Sequence, residues 1–287
     1  MKVGIIGATG RAGKLIAKEA YDRGHEITAI VIDPENVDNK DYKVLNKSIF
    51  DLTVEDLKDF DTVISCFGVF EPSKLIQHQT SMLTLISIFE QIPDVRLMVV
   101  GGAASLYTDE TKTKLVFETI PEAFNGVPKN QMAAYESLKA SEYKNWTFFS
   151  PAGMFDPKGG RTGTYQIGDN DVIVKNSAGE SYISYADYAI AMVDEMENKK
   201  YVGKRITAAA EKIEVAEAAP APAAAPAAAN EPKRGLFRDV EFEGNSMYRG
   251  ALCYELAGQT FHLVMEDGHE YLVRFLSGET LMWSRDN

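Results

Sequence analysis

The chain is poor in the residues that staple or ligate. Only two cysteines occur in 287 residues, Cys66 and Cys253. They lie far apart, so no disulfide framework is written into the sequence and a reducing compartment fits it. The four histidines, His25, His78, His262 and His269, show no metal-ligand spacing. His262 and His269 are seven apart across a turn with no third ligand beside them, and no metal is expected. Positive charge is scarce too: 30 Lys and Arg against 42 Asp and Glu leave a formal charge of −12. That balance argues against a nucleic-acid groove, where phosphates need clustered cations, and against affinity for anionic membranes. No apolar run approaches the ~18 residues that cross a bilayer. The opening Met1 to Gly7 is too short, and too soon broken by glycine, to serve as a secretory signal. A cytoplasmic protein without membrane or nucleic-acid partner is the expectation.

What is present suffices for a full core, since apolar residues make up 45% of the chain. One boundary is plain. Ala216 to Asn230 is nearly pure Ala and Pro; such a segment buries little surface, proline blocks helix and sheet, and it reads as a semi-extended linker. The expected organisation is a large domain over 1–213, a linker over 214–234 and a small β unit over 235–287.

The large domain alternates strand and helix signals. Lys2–Ile6, Glu26–Ile32, Thr62–Phe67, Val95–Val100 and Trp146–Ser150 are short apolar runs of the kind buried on both faces of a parallel sheet. Between them, Lys14–Arg23 places Leu15, Ile16, Ala20 and Tyr21 on one helical face, with Gly24 as its C-terminal stop. Val54–Lys58, Gln79–Gln91 and Gln131–Glu142 also read as helices. This alternation predicts an α/β fold, a Rossmann-type doubly wound parallel sheet with crossover helices on both faces.

The strongest motif is Gly7-Ala8-Thr9-Gly10-Arg11-Ala12-Gly13. A glycine triplet alone is weak; here it follows the first strand and opens a helix, the context of a dinucleotide-binding loop. Glycine supplies unusual backbone angles and lets a pyrophosphate approach main-chain N–H groups without a Cβ in the way. The helix starting near Arg11 turns its positive end to the same site. Asp33 follows Gly13 by twenty residues, where an acidic side chain bonds ribose hydroxyls and favours NAD. Arg11 points toward the 2′-phosphate of NADP, and the choice stays open.

Beyond the loop, three further stretches stand out: Asp61-Thr-Val-Ile-Ser-Cys-Phe-Gly68, Asn145-Trp-Thr-Phe-Phe-Ser-Pro-Ala152, and Arg161-Thr-Gly-Thr-Tyr165 with Ser181-Tyr-Ile-Ser-Tyr-Ala-Asp-Tyr188. Together these residues resemble the atypical short-chain dehydrogenase group, the NmrA-like NAD(P)H-binding proteins that include NADH-flavin reductases and flavin/biliverdin reductase. The resemblance spans residues 1 to about 208. It implies that Thr9, Gly10 and Arg11 hold phosphates and that Asp51 and Leu52 border the adenine. It also implies that Cys66, Phe67 and Gly68 line the cofactor cleft and that Ser150 and Pro151 flank the nicotinamide. The second strand of that group often ends in an arginine for the 2′-phosphate; this chain has Ile32 there, which weakens an NADP assignment.

Tyr135-Glu-Ser-Leu-Lys139 spells the Y-x-x-x-K pair of short-chain dehydrogenases, in which tyrosine is the acid and lysine lowers its pKa. Tyr135 lies only fifteen residues before Ser150, whereas relatives place their pair near the present Lys129 to Gln131. The preferred reading is a helix-face tyrosine and a solvated lysine. A catalytic serine would fall at Gly101-Gly102-Ala103; Ser105 is close but displaced. With the catalytic residues thus unknown, Ser105, Ser150 and Tyr135 are the cleft candidates. A cradle without an acid suits hydride transfer to FMN, FAD or a quinone-type acceptor, which asks for stacking and proximity, and the acceptor site is expected around Phe67, Ala103, Ser150 and Met154. The alternative is a non-catalytic NmrA-like redox sensor. Cys66 reads as a buried, inert thiol in preference to a redox centre.

After Leu236 the pattern changes to period two. Ala251–Leu256, Gln259–Glu266, Glu270–Ser277 and Thr280–Ser284 read as strands, with hairpin signals at Asp267-Gly268 and Ser277-Gly278. The segment resembles MoaF-like, calycin-like sheets, but has too few strands to close a barrel. A homodimer through this unit would cover its open edges.

Overall fold

The computed structural model describes residues 1–120 and 125–213, together with four strands of the C-terminal unit. The chain divides into two units, Met1–Ala216 and Glu217–Asn287. In the first unit the strands are β1 (Lys2–Ile6), β2 (Glu26–Val31), β3 (Lys43–Asn46), β4 (Thr62–Ser65), β5 (Arg96–Val100), β6 (Trp146–Ser150), β7 (Met154–Asp156), β8 (Gln166–Gly168), β9 (Tyr182–Ser184) and β10 (Lys204–Ala209). The helices are α1 (Arg11–Asp22), α2 (Val54–Leu57), α3 (Gln77–Phe89), α4 (Gly126–Ala140) and α5 (Tyr185–Asn198).

Eight strands form one sheet in the order β3-β2-β1-β4-β5-β6-β10-β8. All neighbours are parallel except β8, which runs antiparallel along β10. β7 and β9 form a separate parallel pair. This is a Rossmann-type, doubly wound α/β sheet, and the strand order reverses between β1 and β4, where such folds open a ligand crevice at the carboxyl ends of the strands. Side chains alternate between two cores. Val3, Ile5, Ile64, Met98 and Phe149 pack on the side of α1 and α5; Ile6, Val63, Leu97, Val99 and Phe148 pack on the side of α3 and α4.

Several element boundaries differ from those expected. α1 begins at Arg11, three residues ahead of the expected Lys14, and ends in a Schellman turn. Gly24, φ +83°, donates to the Tyr21 carbonyl at 2.8 Å while the His25 N–H donates to that of Ala20 at 3.1 Å. β4 stops at Ser65 instead of Phe67, and α3 covers Gln77–Phe89 instead of Gln79–Gln91. α4 starts at Gly126, not Gln131. Pro128 sits in its first turn, where a missing N–H costs no hydrogen bond.

In the second unit β11 (Leu252–Leu256), β12 (Gln259–Glu266), β13 (Glu270–Phe275) and β14 (Thr280–Ser284) pair antiparallel in sequence order. The Ala/Pro linker and the turns expected at Asp267-Gly268 and Ser277-Gly278 lie outside the described residues. Among the described residues no helix is long and apolar enough to cross a membrane.

Candidate functional site

The glycine loop joins β1 to α1 at the carboxyl edge of the sheet. Gly7 adopts φ +74°, and a Cβ there would meet the Cys66 carbonyl at 3.1 Å. The Gly7 N–H donates to the Ile30 carbonyl and the Gly10 N–H to the Gly7 carbonyl, both at 2.9 Å. A Cβ on Gly13 would lie 2.2 Å from the Gly7 carbonyl oxygen, so α1 can settle against β1 only with glycine at that place. Gly10 occupies the N-cap of α1 without a side chain to offer, and the first turn carries no acidic residue. The orphan N–H groups of that turn, with the positive end of the helix dipole, are thus left for an outside anion. Thr9 is half-buried while Gly10 and Arg11 are exposed. The cradle has the shape and polarity a dinucleotide pyrophosphate requires.

On the adenosine side, Ile32 is 77% exposed at the end of β2. Asp33 is exposed as well; it precedes the turn Pro34–Asn36 and accepts a hydrogen bond from the Asn36 amide. Lys14, one turn into α1, pairs with Asp38 at 2.9 Å, which leaves Arg11 as the cation nearest the loop. Asp51 is exposed. Leu52 is instead buried in the core on the α3 side, so of the two residues expected at the adenine only Asp51 presents its side chain.

Toward the other end, Cys66 sits behind Gly7, its N–H donating to the Ile6 carbonyl at 2.9 Å. Burial pushes its thiol up to about 12, which leaves it protonated at neutral pH and a poor nucleophile. The half-buried Phe67 ring meets Phe50 and His78 edge-on, with centroids 6.1 and 5.9 Å away; Gly68 beyond it is exposed. Ser150 is wholly buried at the end of β6, and its Oγ has no partner among the described residues. The carbonyl of the buried Pro151 accepts from Thr207 Oγ1 at 3.3 Å. Met154 is 56% exposed.

Two of the three cleft candidates are occupied elsewhere. Ser105 is buried, and its Oγ and carbonyl accept from Arg205 Nη1 at 2.9 and 3.1 Å. The same guanidinium donates from Nε to Asp171 at 2.7 Å and lies 4.4 Å from the Tyr135 ring centroid. Tyr135 itself is buried, packed on Trp146 and Phe148. Burial pushes its phenol up to about 12, the opposite of the lowering that an acid catalyst needs at neutral pH. Lys139 is exposed, with Nζ 5.7 Å from the same ring. Neither hydroxyl is placed to protonate a substrate.

Sequence reasoning assigned no role to Asp187, Glu19 or Gln131. Asp187, wholly buried in the first turn of α5, accepts from the N–H groups of Thr162 and Gly163 and from Thr162 Oγ1 at 2.8–2.9 Å. This joins Arg161–Tyr165 to Ser181–Tyr188, the two halves of one quoted motif. Arg161 continues to Glu19 on α1 at 2.6 Å. A Cβ on Gly102 would lie 2.1 Å from Gln131 Oε1, and one on Gly101 2.1 Å from the Phe148 ring. Two successive glycines after β5 were the signal that other groups lie against that backbone.

Comparison with known proteins agrees with this cradle. Residues 7–199 match the model of a family described as NAD(P)H-binding. A Bacillus subtilis protein, YwnB, uncharacterized by name, is 46% identical over 213 residues, covering 74% of this chain and 99% of its own. A Streptococcus pneumoniae structure, provisionally named an NADH-flavin reductase, is 41% identical with a TM-score of 0.69, over 74% of this chain and all of that one. A Bacteroides thetaiotaomicron structure, provisionally named an epimerase, is 33% identical with a TM-score of 0.64, over 72% of this chain and 96% of its own. With the match covering the glycine loop and the elements around it, the chain belongs to the NAD(P)H-binding family.

Proposed function

We propose that the protein is an NAD(P)H-dependent oxidoreductase passing a hydride to a flavin or quinone-type acceptor. The carrying observation is that Ser105 is held by Arg205 and Tyr135 by the core, while the end of α1 is left open for a dinucleotide. The bound nicotinamide supplies the hydride. Gly7 to Gly13 grip the pyrophosphate, Arg11 and Asp33 face the adenosine end, and Ser150 and Pro151 border the nicotinamide. Phe67 and Met154 give an apolar rim to the acceptor end, with Met154 56% exposed. Carbonyl reduction needs a placed proton donor; transfer between stacked rings needs closeness and orientation. The name of the Streptococcus pneumoniae relative supports the same reading.

The test mixes the purified protein with NADH or NADPH and with FMN, FAD, riboflavin or a quinone, and follows reduced-nicotinamide absorbance. Turnover lost in Gly10→Asp is expected. Tight dinucleotide binding with no acceptor reduced would make the protein a sensor of the nicotinamide state instead. For the second unit, a homodimer through the edge strands β11 and β14 is proposed; sizing after truncation at residue 213 tests it, and an unchanged oligomeric state refutes it.

A further inference from the structure

Gln131 stands on α4 beside the exit of β5, and its carboxamide forms no hydrogen bond among the described residues. The amide oxygen occupies the place where a Gly102 side chain would begin, 2.1 Å from an ideal Cβ. It borders a cavity of about 30 Å³ whose wall includes Ser65, Phe67, His78 and Gly101. That volume holds about two waters or the polar edge of a ring, never a whole ring. The neighbouring amide is already committed. Asn130 donates to the Gly126 carbonyl at 2.9 Å and accepts from Gln79 at 2.7 Å, which fixes the first turn of α4 against α3. Gln131 therefore projects from a rigid stretch with both its donor and its acceptor unused. On the same face of the sheet, one strand from Gly101, the buried Ser150 Oγ is also without a partner among the described residues.

We infer that Gln131 selects the acceptor by reading an imide edge, which makes the acceptor an isoalloxazine in preference to a quinone. A carboxamide offers an N–H donor and a C=O acceptor side by side. The pyrimidine edge of an isoalloxazine offers their complement, C4=O beside N3–H, so two hydrogen bonds form at once. A quinone edge offers acceptors alone and leaves the Gln131 oxygen unpaired, and an unpaired polar group weighs against the wrong ligand more than a made bond favours the right one. This inference rests on the redox reading above. In that reaction the flavin takes a hydride from the reduced nicotinamide and one proton from solvent, and oxidised nicotinamide leaves.

The experiment titrates the full-length protein with riboflavin and with 3-methylriboflavin, reading quenching of flavin fluorescence. The wild type is expected to bind riboflavin about tenfold more tightly than its N3-methyl analogue. The preference disappears in Gln131→Leu, and Gln131→Glu, which keeps the shape and loses the donor, retains only part of it. Equal binding of the two flavins by the wild type, or a preference that survives Gln131→Leu, overturns the inference. Turnover with NADH or NADPH and riboflavin or menadione is followed in parallel. If nothing is reduced, the redox reading fails and the titration still decides the imide contact. If acceptors are reduced while N3-methylation changes nothing, the imide contact fails alone.

Discussion

α1 and α5 lie side by side on one face of the sheet and run the same way, both starting at its carboxyl edge. Arg23 at the foot of α1 reaches Asp194 and Glu197 at the foot of α5, at 2.6 and 2.8 Å. At the top, the Arg11 guanidinium opposes the upward push that burial gives the Tyr185 phenol. Their first turns nevertheless differ. Ser184 caps α5, accepting from the Asp187 N–H at 3.0 Å, and the Asp187 carboxylate adds a buried negative charge. α1 starts at a glycine with no cap and no acid. One helix end is satisfied from within the chain; its neighbour, of similar length and direction, is kept open. The contrast supports the proposal that the α1 end takes an anion while the α5 end serves structure.

The sharpest way to break this contrast is Gly10→Asp, which gives α1 the kind of end α5 has. Nicotinamide-dinucleotide affinity should fall by about 100-fold or more, since a carboxylate then sits where the diphosphate must. Thermal stability of the free protein should hardly fall, because an N-cap side chain contributes about 1 kcal/mol. Calorimetric titration and thermal unfolding separate the two effects. The reverse change, Asp187→Asn, should act on stability instead. It weakens three bonds to a charged acceptor, at a cost of about 2 kcal/mol, lowering Tm by several degrees with less than a tenfold change in dinucleotide affinity. Ser184→Ala should cost about 1 kcal/mol by the same thermal measurement; a large loss of binding there would erase the distinction between the helix ends.

The smallest effect concerns the link between the two helices. Arg161 and Arg23 hold the Glu19 carboxyl below its ordinary value, against the upward pull of burial. A carboxylate depressed in the folded state contributes stability that is complete above its unfolded value. That contribution is lost as pH falls through the folded one, so the window opens below about pH 4. Glu19→Gln should be less stable at neutral pH by about 1 kcal/mol and should lose less on acidification, as denaturant midpoints across pH would reveal.

Much of this was legible beforehand because backbone requirements leave marks in sequence. The glycines of the loop, the apolar runs of β1, β2, β5 and β6, and the Gly24 stop are such marks. β3 escaped notice because it is short and mostly exposed, with no apolar alternation to betray it. α5 escaped because it is buried nearly all round, which erases the stripe that reveals a helix. The start of α4 was hidden by Gly126 and Pro128, residues that break a helix interior but are harmless in a first turn. In the site, Tyr135 and Ser105 were recognisable by residue type. Spacing alone sets Tyr135 aside and displaces Ser105; the bond that holds Ser105 was not legible, because it depends on Arg205, 100 positions further on and brought near by the pairing of β10 with β6.

Arg205 also limits how this scaffold can be repurposed. Giving it alcohol chemistry takes more than installing a phenol on α4 by Gln131→Tyr, because the partner hydroxyl of Ser105 is already bonded to a guanidinium only 7% exposed. Freeing that hydroxyl takes one acceptor from a buried guanidinium, leaving it Asp171 and the Ser105 carbonyl, and removing the cation loosens the turn after β5. A route from the proposed hydride relay to a carbonyl reductase must therefore cross at least two changes that are harmful apart. That barrier would keep a lineage with this arrangement away from alcohol and carbonyl chemistry.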